Sequence, residues 1–217
     1  MESDLGVEIY WFDELESTQA YLIQALKADT LKAPVCVGAS LQTDGKGSRG
    51  NTWISNAGNL FISVAIHRSQ LPNDLKLESS SIYFAFIMKE VLTSLGSNAW
   101  LKWPNDFYLG QQKMGGVITN LVGESLVCGI GMNLSNAPEN FSKMDIMITA
   151  QELTNNYVRE LKKFPTWKQI FSKFELEFSR SKSFTTHVEE TIFGLKDAIL
   201  LEDGSLECNG QRIFSLR

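Results

Sequence analysis

At 217 residues, with 43% hydrophobic and 21% charged side chains, the chain has the make-up of an ordinary globular protein of one large domain, or one domain with a small appendix. Its net charge is −5 and its basic residues are scattered apart from short groups such as Lys162-Lys163, which excludes nucleic-acid binding as the main task because phosphate neutralisation needs a concentrated basic face. No apolar run approaches the ~18 residues of a membrane span, no basic leader follows Met1, and three separated cysteines (Cys36, Cys128, Cys208) fit buried thiols in a reducing compartment, so a cytoplasmic protein is expected.

In chain order, residues 7–12 read as a short apolar strand. Ser17-Thr18 then reads as a helix N-cap ahead of Ala20, Tyr21, Leu22, Ala25 and Leu26. Residues 33–41 read as a strand that breaks into a polar, glycine-rich stretch over 42–51, and the nearly continuous apolar run 60–66 as a buried strand. The spacing of Ile82, Ala85, Phe86, Val91, Leu92 and Leu95 predicts a helix over 79–95, closed by Gly96. Strands follow at 99–103, 107–109, 117–121 (with Met114 onward returning from a turn at 110–112) and 126–130. Pro165 is expected to open a second long helix with Trp167, Ile170, Phe171, Phe174 and Phe178 on one face. In the tail, Asp203-Gly204 and Asn209-Gly210 separate short strands between 195 and 214. A boundary near Ser183 divides a domain at 1–183 from a β-rich unit at 184–217. Its ~34 residues are too few for an independent core, so it should pack on the main domain as a β-barrel-like cap.

Three segments carry chemistry. Lys102-Trp103-Pro104-Asn105-Asp106 is followed by Lys113 and Gly115-Gly116; a hairpin between them would return Lys113 beside Asp106 and Asn105. A lysine held next to a carboxylate and an exposed backbone suits a phosphate-bearing anion, where the plain alternative is a solvated surface hairpin. Gly45-Lys46-Gly47-Ser48-Arg49-Gly50 matches G-x-G-x-x-G, but no helix follows and the first acid beyond it is Asp74, so the dinucleotide-fold reading fails. What remains is a flexible loop with free amides and two cations that can order around an anion, with Trp53 placed to stack on a base. In Gly129-Ile130-Gly131-Met132-Asn133, glycines two apart leave one face of a strand bare for a flat ligand. Asn133 offers both donor and acceptor to an adenine edge; taken alone, this segment fits a strand-end bulge with a turn asparagine better.

Together with Glu16-Ser17-Thr18 and Gln42, these segments occur in an order that resembles the biotin protein ligases, over roughly residues 8–135 and more loosely into the tail. The resemblance implies an α+β fold, a mixed sheet flanked by helices akin to class II aminoacyl-tRNA synthetases, with a small C-terminal β-barrel-like domain. It implies that biotin and ATP, with Mg²⁺ carried mainly on the ATP phosphates and no dedicated metal site, form biotinoyl-5′-adenylate. Biotin then passes to a lysine of a biotin carboxyl carrier protein of acetyl-CoA carboxylase or a related carboxylase. By motif, Ser17, Thr18, Gln42, Gly45 and Lys46 would hold the biotin ureido ring, with Gly116 flanking it. Lys113 would meet the carboxylate and α-phosphate, and Asp106 would orient or deprotonate the incoming lysine. Arg49, Lys46 and Lys102 would face the remaining phosphate charge, and Gly47, Trp53, Asn105, Gly131 and Asn133 the adenylate.

The chain departs from the family's usual Gly-Arg-Gly-Arg-Arg-Gly loop at Lys46 and Ser48, which implies weaker retention of the adenylate. No helix-turn-helix region precedes the first strand, so a ligase–repressor is not expected. The resemblance leaves monomer or homodimer open. A lipoate or octanoate ligase or transferase, and a non-catalytic sensor of biotin or its adenylate, are the competing readings. His67 and His187 lack metal-ligand spacing.

Overall fold

A computed structural model of the chain describes residues 6–188 and 191–214, with Arg49 described by its backbone alone. Seven strands form one mixed sheet in the order β1-β2-β3-β7-β6-β5-β4. They are β1 (Glu8–Leu15), β2 (Val35–Gln42), β3 (Leu60–His67), β4 (Trp100–Lys102), β5 (Asp106–Leu109), β6 (Gln112–Val122) and β7 (Ser125–Met132). β1 and β2 run parallel, joined by α1 (Thr18–Lys27); the other pairs are antiparallel. The centre is β3 against β7, the two strands with the longest apolar runs, as expected of strands covered on both faces.

One face is covered by α1, whose Leu22 packs against Val35, Val37, Ala65 and Val127. The other face carries α2 (Ser80–Ser94), α3 (Ala150–Leu161) and α4 (Trp167–Phe178). Every residue of α2 from Ser80 to Met88 is buried, because the helix lies between the sheet and the two later helices. α3 is a helix that the sequence reading passed over. Thr149 and Glu152 form its capping box, and Leu153, Tyr157, Val158 and Leu161 make its buried face. At α4 the expected opening residue is displaced: Thr166 is the N-cap, paired with Gln169, and Pro165 lies one residue outside the helix.

The tail forms an antiparallel pair of β8 (Thr185–Val188) and β9 (Thr191–Gly194), then a three-stranded sheet of β10 (Ile199–Leu200), β11 (Leu206–Cys208) and β12 (Gln211–Ile213). Among the described residues these two sheets do not close into a barrel, so the β-barrel-like expectation is corrected to two small open sheets. Asn209 and Gly210 both take positive φ (51° and 75°) in the tight turn between β11 and β12. Asp203-Gly204 instead sits in a longer connection, held to the main body by its backbone. Trp103 Nε1 donates to the Gly204 carbonyl at 2.8 Å, Trp167 Nε1 to Glu202 at 2.8 Å and Ser79 Oγ to Asp203 at 2.5 Å. Leu195, Ala198, Leu206, Cys208 and Ile213 join the main hydrophobic core.

Candidate functional site

β4, β5 and β6 present the Lys-Trp-Pro-Asn-Asp run on one ribbon. Asp106 pairs with Lys102 on one side and with Gly116 on the other, while Tyr108 pairs with Lys113, with a register shift between Phe107 and Tyr108. That shift decides the chemistry. In a regular strand Lys113 and Gly116, three residues apart, would point to opposite faces; one extra residue on β6 turns Lys113 onto the face of Asp106 and Tyr108. Lys113 Nζ lies 2.6 Å from Asp106 Oδ1. Lys102, 7% exposed, approaches Asp106 Oδ2 at 4.0 Å and sits over the rings of Tyr108 and Phe184 at 5.6 and 5.9 Å. Burial, then the Asp106 charge, push the Tyr108 phenol up to about 12. The opposite face of the ribbon, with Leu101, Trp103 and Phe107, is fully in the core.

The glycine stretch is a second ribbon. Trp53 N–H donates to the Gly45 carbonyl at 2.8 Å, Gly47 N–H to Asn51 at 2.7 Å, and Lys46 bridges to Thr52. A short 3-10 turn, Ser48–Gly50, forms the tip, and Gly50 there has φ +74°. The stretch thus folds back as a hairpin, and no helix stands between it and β3. Lys46 is ion-paired with Asp44. A Cβ on Gly45 would lie 2.6 Å from the Trp53 carbonyl oxygen, so the close approach of the two arms demands glycine there. The Arg49 side chain, a candidate for the phosphates, lies outside the described residues.

Between the ribbons is a cavity of about 370 Å³, within the usual range for small-ligand sites. Its inner end is polar. Ser17 caps α1, accepting from Ala20 N–H at 3.3 Å. Gln42 Oε1 accepts from Thr18 N–H (2.8 Å) and Thr18 Oγ1 (3.2 Å), Gln42 Nε2 donates to Ser55 at 3.2 Å, and Ser63 Oγ donates to Thr18 Oγ1 at 3.0 Å. Gln42 therefore joins the start of α1 to the base of the glycine hairpin. Gln19 was not anticipated as a site residue. Its Nε2 donates to Asn120 Oδ1 (3.0 Å) and to the Val127 carbonyl (3.2 Å), which can only accept, so the amide orientation is fixed. Gln19 Oε1 is buried at the cavity with no partner.

The bare glycine face of β7 is present but not empty. A Cβ at Gly129 would lie 2.6 Å from Gln19 Oε1, and one at Gly131 2.8 Å from the Trp53 indole. The two glycines thus make room for an amide and an indole, and a ligand would meet those groups before it met the strand, which corrects the expectation of a flat ligand on bare backbone. Trp53 Nε1 is likewise buried without a partner. Asn105 donates from its carboxamide to the Val117 carbonyl, and Asn133 to the Ser142 carbonyl at 3.1 Å.

The structure thus brings Ser17, Thr18, Gln42, Lys46, Gly47, Trp53, Asn105, Asp106, Lys113, Gly116, Gly131 and Asn133 to one cavity. Gly45 and Lys102 are not among the residues that line it. Besides Gln19, the sequence reading missed Ser63, Ile54, Pro138 and Phe141. Ser63 had a signal, a lone hydroxyl in an apolar strand; Pro138 and Phe141 lie in a loop without periodicity. Among the described residues no three His, Cys, Asp or Glu side chains converge as metal ligands.

The model of the biotin/lipoate A/B protein ligase family matches residues 11–135, more than half of the chain, and the chain belongs to that family. It is similar to the bifunctional ligase/repressor BirA of Escherichia coli, 32% identical over 128 residues that make up 56% of this chain and 39% of that protein. A biotin–[acetyl-CoA-carboxylase] ligase of Paracoccus denitrificans is 33% identical over 134 residues, 58% of this chain and 55% of the other. The chain therefore spans about two fifths to just over half of these curated relatives. Among solved structures, the biotin acetyl coenzyme A carboxylase synthetase of Helicobacter pylori, with bound biotinylated ATP, superposes with a TM-score of 0.92 at 41% identity, covering 96% of this chain and 100% of that one.

Proposed function

We propose that the chain catalyses ATP-dependent biotinylation of a lysine on a biotin carboxyl carrier protein, of acetyl-CoA carboxylase or a related carboxylase, through biotinoyl-5′-adenylate. The observation that carries this reading is the single cavity shared by the Lys113–Asp106 ribbon and the glycine hairpin, in a fold so close to the Helicobacter pylori synthetase. Ser17, Thr18, Gln42 and the Gly45–Lys46 backbone take the ureido ring, Gly116 flanks it, and Gln19 Oε1 adds an acceptor for a ureido N–H.

In the first step a biotin carboxylate oxygen bonds to the α-phosphorus, the bond to the β-phosphate oxygen breaks, and pyrophosphate leaves. Lys113 is the cation at that point. Negative charge building on the α-phosphate competes with Asp106 for it, and stabilisation by a fixed cation in a water-poor site lowers the barrier. In the second step the carrier lysine attacks the acyl carbon, the acyl–phosphate bond breaks, and AMP leaves with loss of one proton from nitrogen. Only about one in 10³ free lysines is neutral at pH 7. Asp106, relieved of Lys113, is the carboxylate that orients the ammonium and takes its proton. Lys46, Arg49 and Lys102 answer the other phosphate charges, with Gly47 giving backbone; Trp53, Gly131, Asn105 and Asn133 lie on the adenine side. The one carboxylate on the cavity, Asp106, is already engaged by two lysines, so the described residues do not fit a resident Mg²⁺, and the ion enters with ATP.

The polar inner end favours a cyclic urea over lipoate. A dithiolane offers no hydrogen and would leave Gln19 Oε1 buried and unmet, at about 1–3 kcal/mol. In this reading 1–183 is the catalytic unit and 184–217 a small β unit whose interior is continuous with it. We place the reaction in the cytoplasm, in accord with three buried free thiols; no described helix is long and apolar enough to cross a membrane. The deciding experiment is a transfer assay with MgATP and a carrier domain, offering biotin or lipoate. Wild type should label with biotin alone, and Lys113→Ala should lose at least 100-fold; lipoate labelling, or an undiminished Lys113→Ala, defeats the proposal.

A further inference from the structure

Asn59 does not line the cavity, yet it organises one wall. It sits just before β3, is 2% exposed, and its single Oδ1 accepts from three successive amides, Leu134 (3.0 Å), Ser135 (3.0 Å) and Asn136 (3.1 Å). Its Nδ2 donates to the Asn136 carbonyl at 2.9 Å, which fixes the amide's orientation. Successive N–H groups converging on one point form a concavity that ordinarily suits an anionic oxygen; here the neutral carboxamide of Asn59, just ahead of β3, fills it. The segment so held continues directly from β7 and Asn133 and leads to Pro138 and Phe141, which line the same cavity as Trp53 and Ile54. Regular strand pairing does not extend to 134–136, so without Asn59 three adjacent amides there would lose their acceptor.

We propose that Asn59 is a positioning residue for the nucleotide side of the cavity: through 134–136 it fixes the stretch that runs on from Asn133 and carries Pro138 and Phe141 to the cavity. The anchor itself is independent of the function proposed above; its effect on ATP rests on that reading. The inner, ureido end is built from α1, β2 and β3 and shares no hydrogen bond with Asn59, so the effect should be confined to one substrate.

The test uses the full chain. In wild type the amides of Leu134, Ser135 and Asn136 should be protected from hydrogen exchange, and in Asn59→Ala they should exchange at least tenfold faster while the β3–β7 amides do not change. In biotin-dependent ATP–pyrophosphate exchange, Asn59→Ala should raise KM for MgATP tenfold or more and leave biotin affinity, titrated without nucleotide, within twofold. Asn59→Asp keeps the triple acceptor but sets a carboxylate oxygen against the Asn136 carbonyl in place of the amide donor; it should fall between wild type and Ala, and it decides the matter if Ala does not fold. Unchanged exchange at 134–136, an equal loss toward biotin and ATP, or an Asp variant no better than Ala overturns the inference. A wild type without biotin-dependent pyrophosphate exchange would refute the proposed function instead, and the amide-exchange result would still decide the anchor.

Discussion

Lys113 and Asp106 hold each other at 2.6 Å, so neither acts alone, and their separation into two roles is what the chemistry requires. Removing the lysine should stop adenylate formation, whereas removing the carboxylate should spare it. Asp106→Ala is expected to slow transfer to carrier at least tenfold more than it slows biotin-dependent pyrophosphate exchange; equal losses in the two half-reactions would sink the assignment. Gln19 makes a sharper test of the inner pocket. Gln19→Leu removes an acceptor that has no protein partner, so biotin KM should rise about tenfold, the worth of one hydrogen bond of ~1.4 kcal/mol. KM for MgATP should stay put. A rise in both would mean a general loosening around Asn120 and Val127, which also lose a bond.

At the scale of elements, β7 shows how far a sequence pattern reads and where it stops. Its alternate glycines were legible as a strip without side chains, but not what fills the strip, because Gln19 and Trp53 arrive from segments 110 and 78 residues away, roughly, and strand periodicity carries no long-range information. The consequence is a paired prediction. Gly129→Ala crowds the Gln19 amide and Gly131→Ala the Trp53 indole, each contact tighter than 3.0 Å. Overpacking of this kind costs about 1–3 kcal/mol. Gly129→Ala should therefore raise biotin KM with little change for ATP, and Gly131→Ala the reverse; steady-state pyrophosphate exchange separates them. The Lys-Trp-Pro-Asn-Asp hairpin was legible down to the meeting of Lys113 and Asp106, since local strand–turn–strand signals dominate there. The register shift that puts both on one face was not, because a single inserted residue leaves no mark in composition. α3 escaped notice for a different reason: its polar face is nearly continuous, and its start is announced only by the Thr149–Glu152 pair.

Across the whole molecule, the tail was legible as turns and short strands but not as open sheets, because closure depends on pairing between strands too short to specify it. What holds the tail is polar as well as apolar. Asp203 lies in the connection between β10 and β11 with its side chain 7% exposed, accepting from Ser205 N–H (3.1 Å) and Ser205 Oγ (2.6 Å) and paired with Arg212. Burial works to raise its carboxyl, but the bonds from Ser205 and the Arg212 charge outweigh it and hold the group below the ordinary carboxylate value. The sign follows directly. The folded chain binds this proton less tightly than the unfolded one, whose value is about 3.9, so the contribution to stability is complete above that pH and is lost as pH falls through the folded value. Arg212 is half exposed, which limits the pair to about 1 kcal/mol, or roughly 2–4 °C for a chain of this size. Asp203→Asn should therefore unfold a few degrees below wild type at pH 7 and equally so at pH 5, with the gap closing below about pH 4. Thermal melts across that range decide it: a gap that persists undiminished in acid would mean that the carboxylate charge is not what fastens the tail, and that Trp103, Trp167 and Ser79, through the 202–204 carbonyls, suffice.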